Sequence, residues 1–128
     1  MPHSAGLVLF AHGARDPGWA LPFRDIAGRV AGQRGDLTVR LAFLEFQPPN
    51  LGEAIATLVD EGHTDIRIAP LFMAQGGHLK KDVPELLAAI RSTHPALRLE
   101  LLPVIGDVPE LRAAIAGWLS AAAPGAAS

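Results

Sequence analysis

Four short apolar runs alternate with longer segments of helical periodicity, and this alternation limits the fold more than any other feature of the chain. The first run, residues 7–11, is continuously apolar, as expected for a strand that is buried on both faces. Similar runs occupy residues 37–44, 66–71 and 97–102. Successive β–α units joined by right-handed crossovers predict an α/β fold in which a four-stranded parallel sheet has helices on both faces.

The segments between these runs predict the helices. They begin near Trp19, Asn50, Asp82 and Pro109, and the Asn50–Glu53 spacing is a typical helix-start signal. The simplest strand order is 2-1-3-4, which places a switch point between the first and third strands. Ligands of such sheets bind beyond the carboxyl ends of the strands at this point. We predict one domain over residues 1–120 and a flexible Ala/Pro/Gly/Ser tail over residues 121–128.

Composition excludes several classes of protein. With 128 residues and 49% hydrophobic residues, the chain is long and apolar enough for one core and is unlike disordered proteins. The net charge of −2 argues against a nucleic-acid partner. The lack of cysteine excludes disulfides, thiolate metal sites and a catalytic thiol. Because no apolar run reaches ~20 residues and no Lys or Arg precedes the first run, we expect no membrane segment, no secretory signal and a cytoplasmic location.

Two histidines and one carboxylate follow the predicted strands. His12 comes directly after the first strand, Glu45 ends the second, and His78 stands in the loop predicted after the third. Neighbouring strands lie ~4.8 Å apart, so the two imidazoles are able to meet at one ion or one proton. Imidazole and carboxylate ligands without sulfur suit Co, Ni, Fe or Zn. Each of the three residues alone is also compatible with a structural or surface role. His63 and His94 belong to the opposite end of the sheet, where we expect surface roles.

Basic residues and glycines surround the same predicted crevice. Arg15, Lys80 and Lys81 suit an anionic ligand, which the helix N-termini after the first and third strands would also attract. The pair Gly76 and Gly77 permits close approach of a ligand to the backbone. The alternatives are solvated surface charges and an ordinary loop.

Three motifs in this order resemble the class II tetrapyrrole chelatases, and in particular the short, single-domain sirohydrochlorin cobaltochelatases. They read HGARDP at residues 12–17, FLE at residues 43–45, and PLF at residues 70–72 leading to Gly77 and His78. The resemblance extends over about residues 6–119. It implies a chelatase-like half domain that inserts a divalent metal into sirohydrochlorin or a related tetrapyrrole.

The resemblance also implies roles for individual residues. His12 and His78 would bind the metal and remove pyrrole protons, with Glu45 assisting, and the basic residues would bind carboxylates of the anionic tetrapyrrole. The metal is a substrate, Co²⁺ first and Fe²⁺ or Ni²⁺ as alternatives, and no organic cofactor is implied. A homodimer is expected, since longer relatives join two such domains in one chain. Ala14 stands where the family motif has serine, so a hydroxyl donor is missing here.

Other functions compete with chelation. A metal or tetrapyrrole carrier would keep the binding residues without turnover. A phosphohistidine-type phosphatase would use a histidine after a strand, but such enzymes carry Arg immediately before it, and here that position is Ala11.

Overall fold

A computed structural model describes residues 5–125 apart from the side chain of His78. It contains four strands, four α-helices and two short 3₁₀ turns. The strands are β1 (Ala5–Ala11), β2 (Thr38–Phe43), β3 (Asp65–Pro70) and β4 (Arg98–Leu101). The α-helices are α1 (Leu21–Gln33), α2 (Leu51–Asp60), α3 (Gly77–Thr93) and α4 (Pro109–Ala122), and the 3₁₀ turns cover Pro17–Ala20 and Ile105–Asp107.

All strands are parallel and their order is β2-β1-β3-β4, which confirms the predicted sheet and its switch point. β1 is central, with Val8 paired to Arg40 of β2 on one side and to Ile68 of β3 on the other. The end of β1 lies beside the ends of both neighbours, where Ala11 pairs with Phe43 and Phe10 with Pro70. The segments that follow β1, β2 and β3 therefore start from one edge of the sheet, which we call the carboxyl edge.

One face of the sheet is closed by α2 and α3. Apolar side chains from alternate strand positions meet the buried stripes of both helices in the main core. Its largest fully buried members are Phe10, Val8, Leu51, Ile55, Leu58, Ile66 and Ile68. A capping box begins α2 as predicted, with the Glu53 N–H donating to Asn50 Oδ1 and the Asn50 N–H donating to Glu53 Oε1, both at 2.8 Å.

The other face is covered much less. Trp19 and Phe23 pack there on a small cluster with Ala11, Ala20 and Phe43, yet neither α1 nor α4 has a fully buried residue. Arg67 and Glu100 form an exposed 3.5 Å ion pair on the same side, because each alternates with residues of the main core. The apolar stripe of α4 is exposed as well, and consists of Leu111, Ile115, Trp118 and Leu119.

The main error in the predicted elements concerns α3, which begins at Gly77 rather than near Asp82. Pro84, expected near the helix start, lies inside the helix. The helix continues through it because residues at helical spacing on either side, Leu79, Val83 and Leu87, are buried in the core. Most other boundaries differ by a few residues from the predicted ones, and α4 continues past its predicted end to Ala122. The flexibility of residues 121–128 stays a prediction, and residues 126–128 lie outside the described part of the chain.

Within residues 5–125, each helix is too short or too polar to cross a bilayer.

Candidate functional site at the carboxyl edge

His12 is the first residue after β1, and it lies exposed at the carboxyl edge. Its ring packs against the ring of Phe72, with centroids 4.4 Å apart and planes inclined by 51°. Phe72 is buried and in turn packs edge-on against Phe10 at 5.6 Å. The core thus supports one side of the imidazole while the side chain remains open to solvent, as a residue that exchanges metal or protons requires.

Glu45 lies next to His12. The Glu45 N–H donates to the His12 carbonyl at 3.0 Å, and the Leu44 N–H donates to the Ala11 carbonyl at 2.9 Å. These two bonds extend the β1–β2 ladder past the end of β2 and hold the two loops together. The Glu45 side chain is exposed, and the structure places the Glu45 and His12 backbones side by side.

Gly13 makes this approach possible. Its φ is +90°, and a Cβ at this position would stand 1.9 Å from the Glu45 carbonyl oxygen. A side chain is therefore excluded both by the backbone conformation and by the contact. The glycine of the first motif is required for the β1 and β2 loops to meet.

His78 is the second residue of α3 and does not lie in the loop where the sequence placed it. Its side chain lies outside the described part of the structure, so its convergence with His12 stays a prediction. The helix begins after Gly76, and its first N–H groups carry the positive end of the helix dipole. Among the side chains described, no group of three histidines or carboxylates forms a metal site.

The predicted anion-binding residues are exposed at this edge. Lys80 and Lys81 lie near the start of α3, and the Lys80 N–H already bonds to the Gly76 carbonyl at 3.0 Å. A Cβ at Gly76 or Gly77 would meet no other atom within 4 Å, so packing does not require either glycine. Cations and free helix N–H groups together favour an anion.

Phe46 is a residue of this region that the sequence did not point to. This residue is 55% exposed, has a φ of +72°, and carries the Arg15 guanidinium 5.1 Å from its ring centroid. Positive φ is rare for a bulky residue and costs roughly 1–3 kcal/mol, and such outliers cluster at functional sites. An apolar residue after Glu45 gives no sign of this conformation, because asparagine or glycine is the usual signal for it.

The amino end of the sheet holds His63 and His94, as predicted. Both line a cavity of about 250 Å³ with Val59, Thr64 and Leu97 among its other walls. His63 is buried, which corrects its expected surface role, and its Nδ1 has no hydrogen-bond partner within the described part of the chain. His94 is half-buried and directly follows α3.

Comparisons with known proteins agree with the fold and the motifs. The CbiX family model matches residues 6–122. A sirohydrochlorin cobaltochelatase of Methanosarcina barkeri is 35% identical over 88 residues, which are 69% of this chain and 68% of that protein. A sirohydrochlorin cobaltochelatase of Saccharolobus islandicus is 37% identical over 84 residues, 64% of this chain and 62% of that protein.

Solved structures show the same fold. A CbiX protein of cobalamin biosynthesis from Marinobacter aquaeolei superposes with a TM-score of 0.79 at 27% identity, over 91% of this chain and 95% of that one. The sirohydrochlorin chelatase SirB of Bacillus subtilis in complex with cobalt gives a TM-score of 0.78 at 23% identity. The match covers 94% of this chain but 51% of SirB, so the chain spans about half the length of that relative. On the family match over most of its length and the identity to the cobaltochelatases, the chain belongs to the CbiX family.

Proposed function

We propose that this CbiX-family protein is a metal chelatase, a lyase that inserts Co²⁺ into sirohydrochlorin or a related tetrapyrrole. The observation that carries the proposal is the exposed His12 imidazole beside Glu45 at the carboxyl edge of the switch point. Relatives at 35% and 37% identity are named for this activity. The matching names and the site position support the same reaction.

Chelation exchanges two protons for one metal ion. The macrocycle loses two pyrrole N–H protons, the ion gives up its water and protein ligands, and four ring nitrogens take their place. A neutral imidazole either binds the ion or accepts a proton, and a carboxylate is able to do the same. We assign these roles to His12 and His78, with Glu45 assisting. An incomplete set of ligands holds the ion less firmly than a closed four-ligand site, so the ion remains transferable.

Co²⁺ is the metal we propose, with Fe²⁺ and Ni²⁺ as alternatives. SirB of Bacillus subtilis, which shares the fold, has been solved with cobalt and with Fe³⁺. Nitrogen and oxygen ligands bind all of these ions, in an affinity order that hardly depends on the protein. Chelation consumes only the metal and the macrocycle, and we propose no organic cofactor.

Basic residues of the site balance the negative charge of the substrate. Sirohydrochlorin carries eight carboxylates, and Arg15, Lys80 and Lys81 are exposed where the positive end of α3 also points. We propose that these residues and the free N–H groups at Gly76 and Gly77 hold the carboxylate rim of the macrocycle.

The cytoplasm is the compartment we propose for the protein.

We also propose a homodimer. The stripe Leu111, Ile115 and Trp118 of α4 is an exposed apolar surface, and one face of the sheet is only thinly covered. SirB contains about twice the length of this chain, so two copies supply what one SirB chain supplies. Twofold pairing is the commonest assembly of such chains. Sedimentation at micromolar concentration should give twice the mass of one chain, and Trp118→Glu should give a monomer. A wild-type monomer would remove this part of the proposal.

The decisive experiment mixes the protein with sirohydrochlorin and Co²⁺, Fe²⁺, Ni²⁺ or Zn²⁺ in turn and follows the visible spectrum. We expect metalation faster than in the protein-free control, with Co²⁺ the most effective. Tight binding of metal or tetrapyrrole without turnover would identify a carrier. Hydrolysis of a phosphate ester through phosphohistidine would identify a phosphatase. Either result would overturn the chelatase proposal.

A further inference from the structure

Two large apolar side chains are exposed in the loops of the carboxyl edge. Among the described residues, the other exposed large apolar side chains lie on α1 and α4, whereas Phe46 follows β2 and Met73 follows β3. Phe46 is 55% exposed and Met73 56%. Because β2 and β3 flank β1, the loops that carry these residues begin on the two sides of the strand that His12 follows.

Both residues are held in place by tight backbone contacts. The Glu45 N–H bonds to the His12 carbonyl on one side of Phe46, and the Gln47 side chain donates to the Ala14 carbonyl at 2.8 Å on the other. A Cβ at Gly106 would stand 1.5 Å from the Met73 carbonyl oxygen, so the 3₁₀ turn before α4 packs directly on the Met73 backbone. The backbone positions from which Phe46 and Met73 project are thus fixed by the surrounding structure.

The contact between Arg15 and Phe46 joins a flat apolar surface to a cation. The guanidinium lies 5.1 Å from the ring centroid, within the range of a cation–π interaction. A ligand that meets this pair finds an aromatic surface next to a positive charge. A flat conjugated ring with carboxylates on its rim matches both parts at once.

We propose that Phe46 positions the tetrapyrrole, stacking against the macrocycle while it holds Arg15 for a carboxylate on the rim, and that Met73 contacts the macrocycle from the β3 side. This inference rests on the proposed function and adds the residues that orient the ring above His12. The positive φ of Phe46 then has a purpose, since it turns an apolar side chain out to the ligand rather than into the core.

The test compares Phe46→Asn with Phe46→Trp. Asparagine tolerates positive φ and removes the ring, whereas tryptophan keeps an aromatic surface. For Phe46→Asn we expect KM for sirohydrochlorin and Kd for the metal-free macrocycle to rise about tenfold, with kcat within about threefold. For Phe46→Trp we expect all three within about threefold. Ile26→Asn, an equally drastic change at an exposed site on α1, should leave all three unchanged.

Coupling to Arg15 gives a second readout. Arg15→Gln should raise KM less in the Phe46→Asn background than in the wild type, because the guanidinium has already lost its support. A merely structural role would lower Tm and kcat in Phe46→Asn, and a role in the dimer interface would lower the sedimenting mass. Either result, or an unchanged KM and Kd, would overturn the inference.

Binding of an octacarboxylate porphyrin without metal separates this inference from the proposed function. If the wild type metalates sirohydrochlorin but Phe46→Asn binds both macrocycles as tightly as the wild type does, the inference alone is overturned. If the wild type metalates no macrocycle, the proposed function is overturned. The effect of Phe46→Asn on the Kd for the porphyrin would still decide the role of Phe46.

Discussion

The two ends of the sheet each carry histidines, but they place them in opposite environments. At the carboxyl edge, His12 is exposed and packs on the buried Phe72. At the opposite end of the sheet, which we call the amino edge, His63 is buried and its Nδ1 has no partner among the described residues, and His94 follows the end of α3. The C-termini of α2 and α3 point to the amino edge and the N-terminus of α3 to the carboxyl edge, so the helix dipoles favour an anion at the carboxyl edge. Whether a histidine follows or precedes a strand is therefore a better guide to its environment than the fact that it is a histidine.

The largest expected effect is that of His12→Ala. Chelation should fall at least ~10²-fold, the lower end for a positioned acid–base group, while the circular dichroism spectrum stays that of the wild type. His78→Ala should lose a similar factor, and the double variant little more than the worse single one, since residues that act as one unit are non-additive. Initial rates of metalation measure all three. An active His12→Ala would break the assignment of the site to the carboxyl edge.

Glu45→Gln should have a smaller effect, about tenfold on kcat/KM. The substitution keeps the size of the side chain and leaves the Glu45 N–H bond to the His12 carbonyl in place, so it removes charge alone. Steady-state rates over a range of Co²⁺ concentrations would show the loss. If Glu45→Ala and Glu45→Gln both equal the wild type, the carboxylate has no part in the reaction.

The basic residues should affect binding more than turnover. Lys80→Gln should raise KM severalfold with little change in kcat, and the effect should shrink in high salt, because exposed charges are screened over ~10 Å at 0.1 M. Arg98→Gln removes an exposed charge from the amino edge and serves as the control. A kcat defect without a change in KM for Lys80→Gln would contradict the anion-binding role.

The smallest effects on activity belong to the amino edge. His94→Ala and His63→Leu should stay within a few-fold of wild-type activity. His63→Leu should also raise Tm by a few degrees, because an apolar group replaces a buried ring nitrogen that has no partner in the described part of the chain. Thermal unfolding and metalation rates measure the two quantities separately. Loss of chelation in either variant would show that the amino edge takes part in the reaction and would contradict the assignment of the site to the carboxyl edge.

The sequence predicted the sheet and the positions of His12 and Glu45 because these depend on strong local signals. A continuous apolar run that ends in His-Gly marks both a buried strand and its end, and right-handed crossovers with helices on both faces then make 2-1-3-4 the simplest order of the strands. The Asn50–Glu53 capping box was readable for the same reason, since both partners lie within one turn of helix.

What the sequence did not reveal depends on long-range contacts. Pro84 indicated a helix start, yet core packing by Leu79 and Val83 carries α3 through it from Gly77. The positive φ of Phe46 arises from bonds that its neighbours make to the β1 loop, 33 residues away in the case of Gln47 and Ala14. The burial of His63 is likewise a tertiary effect, which its position beside a turn did not suggest.

The two tryptophans give the molecule its own optical reporters. Trp19 is half-buried against Phe23 just after the β1 loop, whereas Trp118 is 69% exposed on α4. Their fluorescence should accordingly separate into a blue component and a red one. A tetrapyrrole at the carboxyl edge would quench Trp19 by energy transfer, and pairing through α4 would shift Trp118 to the blue. With Trp19→Phe and Trp118→Phe, one instrument could follow ligand binding and subunit association as two separate signals.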